Sequence, residues 1–194
     1  MTRQAIDILI SGGGVAGLCA TVSFASAGFS VLCVDPAPPI TNSNAAGADL
    51  RSTAFLTPSI DLLRQIGLWD RLSPHAAALQ IMRIVDAGGA VGEARLSRDF
   101  DAADLSDQPF GYNLPNWLLR REMLAQINAL PNATFFPGVS TTSILTRETE
   151  ALVGLSDGGT WRARLLIGAD GRDSAVRQAL NISVRTTRYG QKAL

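Results

Sequence analysis

Three glycines, Gly12, Gly14 and Gly17, separate a strand-length apolar run from an alanine-rich segment, and few folds accommodate that order. Ala5 to Ser11 (AIDILIS) is short, Ile-rich and stopped at once by Gly12 to Gly14, so it reads as a buried strand. Val15 to Ala27 reads as a helix, with Leu18, Val22 and Ala25 to Ala27 able to face a sheet. Gly28 stands where a helix end favours a left-handed residue. Ser30 to Asp35 (SVLCVD) is a second strand, too apolar to be exposed on either face. In the spacing G-x-G-x-x-G between strand and helix, the first glycine allows a tight turn, the second a close backbone approach to a pyrophosphate, and the third close helix-to-strand packing. Val15, Ala16 and Gly17 open a helix whose unpaired N–H groups and positive end suit phosphates. Asp35 closes the next strand at roughly the 20-residue offset where a carboxylate accepts from ribose hydroxyls. A purely structural glycine turn would not require the acid and both strands to fall into place together. The pattern predicts a βαβ unit that binds a dinucleotide.

Which dinucleotide follows from the rest of the path. A nicotinamide-binding domain ordinarily continues at once into further βα units of a parallel sheet. Here a proline-containing loop follows, Pro36 to Leu50, of a length that is functional or disordered in most compact domains. Thr57 to Leu68 is predicted as a helix with Thr57 as N-cap, Pro58 at its start and Gly67 near its end. Gln80 to Leu96 is predicted as a hairpin turning at Asp86-Ala87-Gly88-Gly89, and Ser97 to Pro109 as acidic and irregular. Trp117 to Leu130 is a second clear helix. Thr134–Phe136 is predicted as a strand, and Val139–Thr146, Ala151–Leu155 and Thr160–Ala163 as an antiparallel meander with a turn at Asp157-Gly158-Gly159. Leu165 to Gly168 is expected as a separate last strand, broken by Asp170-Gly171 before a short helix, Ser174 to Leu180. A nucleotide domain carrying inserted β elements suits FAD better than NAD.

Composition removes several function classes. Lys plus Arg and Asp plus Glu each number 17, so no bulk field draws nucleic acid or an anionic membrane. Cys19 and Cys33 have no metal-ligand spacing and are expected to be buried, reduced core residues. The polar start and the glycines after Ser11 argue against a signal peptide, and no apolar run reaches the roughly 20 residues of a membrane span. The expected location is the cytoplasm, with peripheral membrane contact left open. His75, the only histidine, lies beside Pro74 in a polar linker and is given no catalytic role. Trp69, Trp117 and Trp161 are read as packing residues.

Three segments resemble the aromatic-ring hydroxylases of the p-hydroxybenzoate hydroxylase type, most closely their ubiquinone-biosynthesis branch. They are IDILISGGGVAGLCA with Asp35, DLRSTAFLTPSIDLLRQIGL from Asp49, and LLIGADGRDSAVRQAL followed by YGQKAL. The resemblance implies an α/β fold: a Rossmann-like FAD-binding domain of the glutathione-reductase/hydroxylase type with an inserted β meander and the beginning of a substrate-domain β sheet. It divides the chain into an FAD-binding domain over 1–77 and 110–182 and partial substrate-domain elements over 78–109 and 183–194. It puts Arg51 beside the flavin pyrophosphate, Asn116 near the FAD ribose with Arg121 a turn later, and Val139 in the cofactor-binding set. Asp170 and Gly171, with Ser174 and Arg177, match a signature that touches FAD and is associated with NAD(P)H use. Independently of the likeness, arginine offers bidentate recognition of phosphate. Surface solvation is the bland alternative for Arg51 and Arg121, and a turn or helix-capping role is the bland one for Asp170.

The implied reaction hydroxylates a small aromatic substrate, a phenolic or quinone-precursor ring, with NAD(P)H as reductant and O₂ as oxygen source. The cofactor carries such chemistry, so no catalytic residue is assigned. Complete family members are much longer and hold the flavin ring with a later Gly-Asp-Ala-x-His type segment that this sequence lacks. The expectation is therefore the N-terminal portion of such an enzyme, with a non-catalytic FAD-binding or assembly module as the alternative. Association with a membrane surface, other enzymes or a second copy stays open.

Overall fold

The computed structural model describes residues 4–88 and 92–190. The Gly89 corner of the expected hairpin turn and the Gln191–Leu194 end of YGQKAL lie outside the described residues. In chain order the elements begin with β1 (Gln4–Ser11), α1 (Val15–Ser26), β2 (Val31–Asp35), β3 (Ser52–Leu56), α2 (Thr57–Gln65) and α3 (Trp69–Leu72). Next come β4 (Ala77–Ala78), β5 (Ile81–Asp86), β6 (Leu96–Asp101), β7 (Gly111–Pro115) and α4 (Asn116–Ala129). The chain ends with β8 (Ala133–Pro137), β9 (Thr141–Thr146), β10 (Ala151–Leu155), β11 (Thr160–Gly168) and α5 (Ala175–Ala179). They form two compact units, Met1–Pro39 with Ile127–Leu194, and Ile40–Gln126.

The first unit is built on a six-stranded sheet in the order β8-β2-β1-β11-β10-β9. β8, β2, β1 and β11 run parallel, and β10 and β9 are antiparallel additions. The unbroken apolar runs of β1 and β2 follow from burial on both faces. Alternate residues Ile8, Ile10, Val31 and Cys33 pack with Ala25 and Phe24 of α1. Leu9, Leu32 and Val34 pack with Ala151, Val153, Leu155 and Ala163. Trp161 joins this second cluster edge-on to Phe136, at 6.3 Å between ring centroids, as a packing residue. Cys33 is buried as expected, but Cys19 is only half-buried. α1 ends in a Schellman turn, with the Phe29 amide donating to the Phe24 carbonyl at 3.1 Å and the two rings in edge contact.

Two expectations need correction here. β11 is one nine-residue strand, not two: its first half pairs antiparallel with β10 while its whole length pairs parallel with β1. Arg164, which lies between the two expected strands, is exposed and donates to Asp7 at 3.0 Å without interrupting the ladder. β9 begins at Thr141 instead of Val139, because Gly138 (φ +79°) turns the chain and the Val139 amide donates to the Asp35 carbonyl at 3.0 Å.

The far end of β1 is fastened to β2 through Asp7. Its Oδ2 accepts from the Ser30 hydroxyl at 2.7 Å and the Ser30 amide at 3.0 Å. Those bonds from Ser30, with the one from Arg164, lower the carboxyl from an ordinary 3.8 to about 2. A depressed carboxylate contributes stability that is present above its unfolded value and lost as pH falls through the folded one. Asp7→Asn is therefore expected to lower the thermal midpoint at neutral pH and to shrink the acid-induced loss between about pH 4 and pH 2. Circular dichroism melts across that range check this; superimposable acid curves for the two proteins would remove Asp7 from the account.

The second unit contains the three-stranded sheet β3-β7-β4, the separate hairpin β5-β6, and α2, α3 and most of α4. Its buried residues include Ile60 and Leu63 of α2, Leu72 of α3, Leu114 of β7, and Leu118, Leu119 and Met123 of α4. α2 starts one residue earlier than expected: Leu56, extended at φ −76°, holds the N-cap position, and Thr57 is already helical. The cause is that β3 runs straight into the helix with no turn between them. Gly67 does close α2, in a second Schellman turn in which the Leu68 amide donates to the Leu63 carbonyl at 2.9 Å. The hairpin exists, but its second strand, Leu96–Asp101, runs from the last residue of the expected hairpin into the segment expected to be irregular. Arg83 and Asp99 face each other across it in a bidentate pair at 2.7 Å, a cross-strand contact that the acidic composition obscured.

Candidate functional site

The expected cofactor residues fall in both units. Gly12, Gly14, Val15, Ala16, Gly17, Asp35, Val139, Asp170 and Gly171 belong to the first; Arg51, Asn116 and Arg121 belong to the second.

In the first unit, a cleft of about 390 Å³ opens where β1, β2 and β11 end. Gly12, Gly14, Asp35, Thr141, Asp170 and Gly171 are among its lining residues. Ligands of open parallel sheets bind at the carboxyl ends of the strands, and this cleft has that position. Gly12 is at φ +114°, and a Cβ there would lie 2.7 Å from the Asp170 amide nitrogen and overlap the Ala169 carbonyl. A Cβ on Gly17 would overlap the Gly12 carbonyl oxygen, so α1 leans directly on the turn. A Cβ on Gly14 would meet nothing within 4 Å, and the helix start carries no side-chain cap and no acid in its first turn. The turn thus presents open space and uncapped N–H groups at the positive end of a 12-residue helix.

Asp35 grips the turn itself. Its Oδ2 accepts from the Gly13 amide at 2.5 Å and its Oδ1 from the Ala37 amide at 2.8 Å. A carboxylate has about four acceptor sites, so about two remain for ribose hydroxyls. Gly13 was not singled out from the sequence, yet a Cβ there would lie 2.9 Å from that of Asp35. The G-G-G run was the available signal.

Asp170 has both of the roles read from the sequence within reach. Oδ2 accepts from the Val176 amide at 3.0 Å at the start of α5, while Ser174 caps the same helix through the Arg177 amide at 3.0 Å. Oδ1 is buried and has no hydrogen-bond partner among the described residues. Burial pushes the Asp170 carboxyl up, but the nearby Ser174 hydroxyl, the Val176 amide and the neighbouring amides outweigh it, and the group lies below its ordinary value. It is an ionised carboxylate with one buried oxygen left open to a donor.

In the second unit, Asp49 gathers Arg51, Asn116 and Arg120. Arg51 forks onto it through Nε at 2.8 Å and Nη2 at 2.9 Å, and the Asn116 amide donates at 3.0 Å. Arg120 Nη2 lies 3.6 Å away. The bonds from Arg51 and Asn116 hold the Asp49 carboxyl well below the usual carboxylate range. Pairing of Ser52 with Pro115 across β3 and β7 brings these distant residues together. Arg121 sits apart from them, paired with Glu122 at 2.8 Å and stacked 5.2 Å over Trp117. Burial raises the Glu122 carboxyl, but Arg121 and Arg71 on either side bring it below its ordinary value. His75 is exposed on a short 3₁₀ turn. Among the described residues there is no cluster of metal ligands and no helix long and apolar enough to cross a membrane.

A family model described as an FAD binding domain matches residues 5–193. The chain belongs to that family. As an FAD-binding domain it is 37% identical over 188 residues to the ubiquinone hydroxylase UbiL of Rhodospirillum rubrum, covering 97% of this chain and 42% of that protein. It is 31% identical over 196 residues to the 3-demethoxyubiquinol 3-hydroxylase of Escherichia coli, covering 100% of this chain and 48% of that one. Among solved structures, aklavinone-11 hydroxylase in complex with FAD and aklavinone superimposes with a TM-score of 0.72 at 26% identity, over 93% of this chain and 36% of that one. A mutant of Pseudomonas aeruginosa PqsL gives 0.78 at 24% identity over 96% and 48%, a likeness of fold. The FAD-binding domain thus spans less than half the length of these relatives. The cofactor of the family, FAD, fits what the cleft offers: uncapped helix amides for phosphate, spare Asp35 lone pairs for a ribose, and an orphaned Asp170 oxygen for a hydroxyl.

Proposed function

We propose that this chain carries the FAD-holding part of a flavin-dependent aromatic hydroxylase that acts on a ubiquinone precursor, with NAD(P)H as reductant and O₂ as oxygen donor. The observation that carries this reading is the family match over residues 5–193 in a chain 37% identical to a ubiquinone hydroxylase. When bound, FAD supplies the redox chemistry. The residues of this chain hold and orient it. Amides of Gly14, Val15, Ala16 and Gly17 serve the phosphates, Gly12, whose own amide donates to the Val34 carbonyl at 2.8 Å, shapes the turn, Asp35 takes a ribose, Asp170 and Gly171 take a hydroxylated segment, and Val139 belongs to the cofactor-binding set. The family resemblance implies Arg51, Asn116 and Arg121, in the second unit, as further cofactor-binding residues.

On this reading 1–77 and 110–182 serve the cofactor, and 78–109 and 183–194 serve the substrate. The protein works in the cytoplasm, and a membrane surface or a second copy of the chain are its proposed associations. Flotation with vesicles and sedimentation test them.

The direct test is to purify the chain, add FAD, remove the excess by gel filtration and record the visible spectrum. Flavin near one equivalent is expected; a colourless protein would overturn the reading. Aromatic-dependent NAD(P)H oxidation yielding a hydroxylated product then separates an enzyme from a module that only binds FAD.

A further inference from the structure

Two hydroxyls in the cleft of the first unit, Ser11 at the end of β1 and Thr141 at the start of β9, lie 130 residues apart and meet in one hydrogen bond. The Thr141 hydroxyl donates to Ser11 Oγ at 3.0 Å. An irregularity in the sheet allows that meeting. β10 and β9 pair regularly as far as Gly154 with Ser143, and then Leu155 pairs with Thr141, so that Thr142 is passed over. A slip of one residue turns a side chain to the opposite face of a sheet. It puts Thr141 on the face of Leu155, which packs in one cluster with Leu9, and Ser11 follows Leu9 on that same face of β1.

The pair is only half-satisfied. Two hydroxyls hold two protons, and the bond between them uses one, whichever of the two donates. Neither hydroxyl has a further hydrogen-bond partner among the described residues. Ser11 is 5% exposed, and a donor left unmet at that depth is costly until a ligand or water accepts from it. No lysine or arginine is among the lining residues of the cleft, so neutral donors serve a ligand there. Close by stands an acceptor without a donor, Asp170 Oδ1: a Cβ added to Gly168, the register partner of Ser11, would lie 3.6 Å from it. An unused donor and an unused acceptor in one cleft, not bonded to each other, suit a ligand that carries both hydroxyls and acceptor oxygens, as a flavin dinucleotide does.

We propose that Ser11 and Thr141 act together as a single hydrogen-bond donor to an acceptor oxygen of FAD, brought together by the bulge at Thr142. The proposal rests on the FAD reading above and adds to it a pair of side chains that the glycine turn and its acid do not include.

The experiment measures FAD dissociation constants of the full chain by flavin fluorescence, for the wild type, Ser11→Ala, Thr141→Val and the double variant, beside thermal melts of each cofactor-free protein. Each single variant is expected to weaken FAD about fivefold, the worth of one neutral hydrogen bond, and the double variant by about the same factor, because the pair delivers one bond. Losses that multiply, to about 25-fold in the double variant, would mean two independent contacts and overturn the proposal. Unchanged affinity in either single variant would overturn it too, and a lowered melting midpoint there would make the pair merely structural. Thr141→Ser keeps the hydroxyl without the methyl group and is expected to bind FAD within about twofold of the wild type. A loss equal to that of Thr141→Val would trace the effect to packing and overturn the proposal. A wild-type chain that takes up no FAD would overturn the FAD reading and this proposal with it; normal uptake with unaffected variants would overturn this proposal alone.

Discussion

Gly17→Ala is expected to abolish FAD binding and to destabilise the first unit by about 3 kcal/mol, the upper end of ordinary overpacking costs. The added Cβ would overlap the Gly12 carbonyl oxygen and lie 2.9 Å from its carbon. The crowding atoms are Gly12 backbone, with only the short Ala169 Cβ beyond them at 3.4 Å, so no flexible side chain can yield and α1 has to move off the strand. Moving it displaces the uncapped amides at its start, so stability and affinity fall together. Urea unfolding followed by circular dichroism, beside an FAD titration, reads both. A variant with a wild-type midpoint and full flavin would show that α1 has slack the packing does not reveal.

The second large effect separates the two properties that Gly17→Ala couples. Asp170→Ala is expected to weaken FAD about 10- to 100-fold, the range for losing a hydrogen bond to a charged group. Its effect on the cofactor-free protein is expected to stay within about 1 kcal/mol, because the lost cap on the Val176 amide is offset by removal of a buried oxygen without a donor. Asp170→Asn, with an NH₂ in place of one acceptor, distinguishes shape from acceptor chemistry. Isothermal titration for affinity and thermal melts of the apoprotein test the contrast; a large apoprotein loss with unchanged affinity would reduce Asp170 to a helix cap.

The β1-α1-β2 opening was legible because every layer of its sequence agrees: apolar strand, glycines, alanine-rich helix, apolar strand, acid. The errors lie where tertiary contacts overrule local composition. LSRDFD looks acidic and irregular until Asp99 meets Arg83 across the hairpin. TWRARLLIG looks like two strands until Arg164 is seen to end on Asp7. The candidate site shows the same division. The glycine turn is contiguous in sequence and could be read. Asp49, by contrast, meets Asn116 across 67 residues and Arg120 beyond it, through a strand register that no spacing announces.

The strand β11 also sets a timetable. Its partner β1 is made first, yet the contact between Asp7 and Arg164 spans 157 residues. Contacts of that separation slow folding, since a long loop must close before they reward it. During synthesis the glycine turn emerges early but lacks its wall, because the atoms crowding Gly12 belong to Ala169 and Asp170. A ribosome-bound chain stalled before residue 160 should therefore expose the apolar edge of β1 and offer no finished cleft. Cofactor capture becomes a late event in the life of the nascent protein, and β1 a segment for chaperones to cover until β11 arrives.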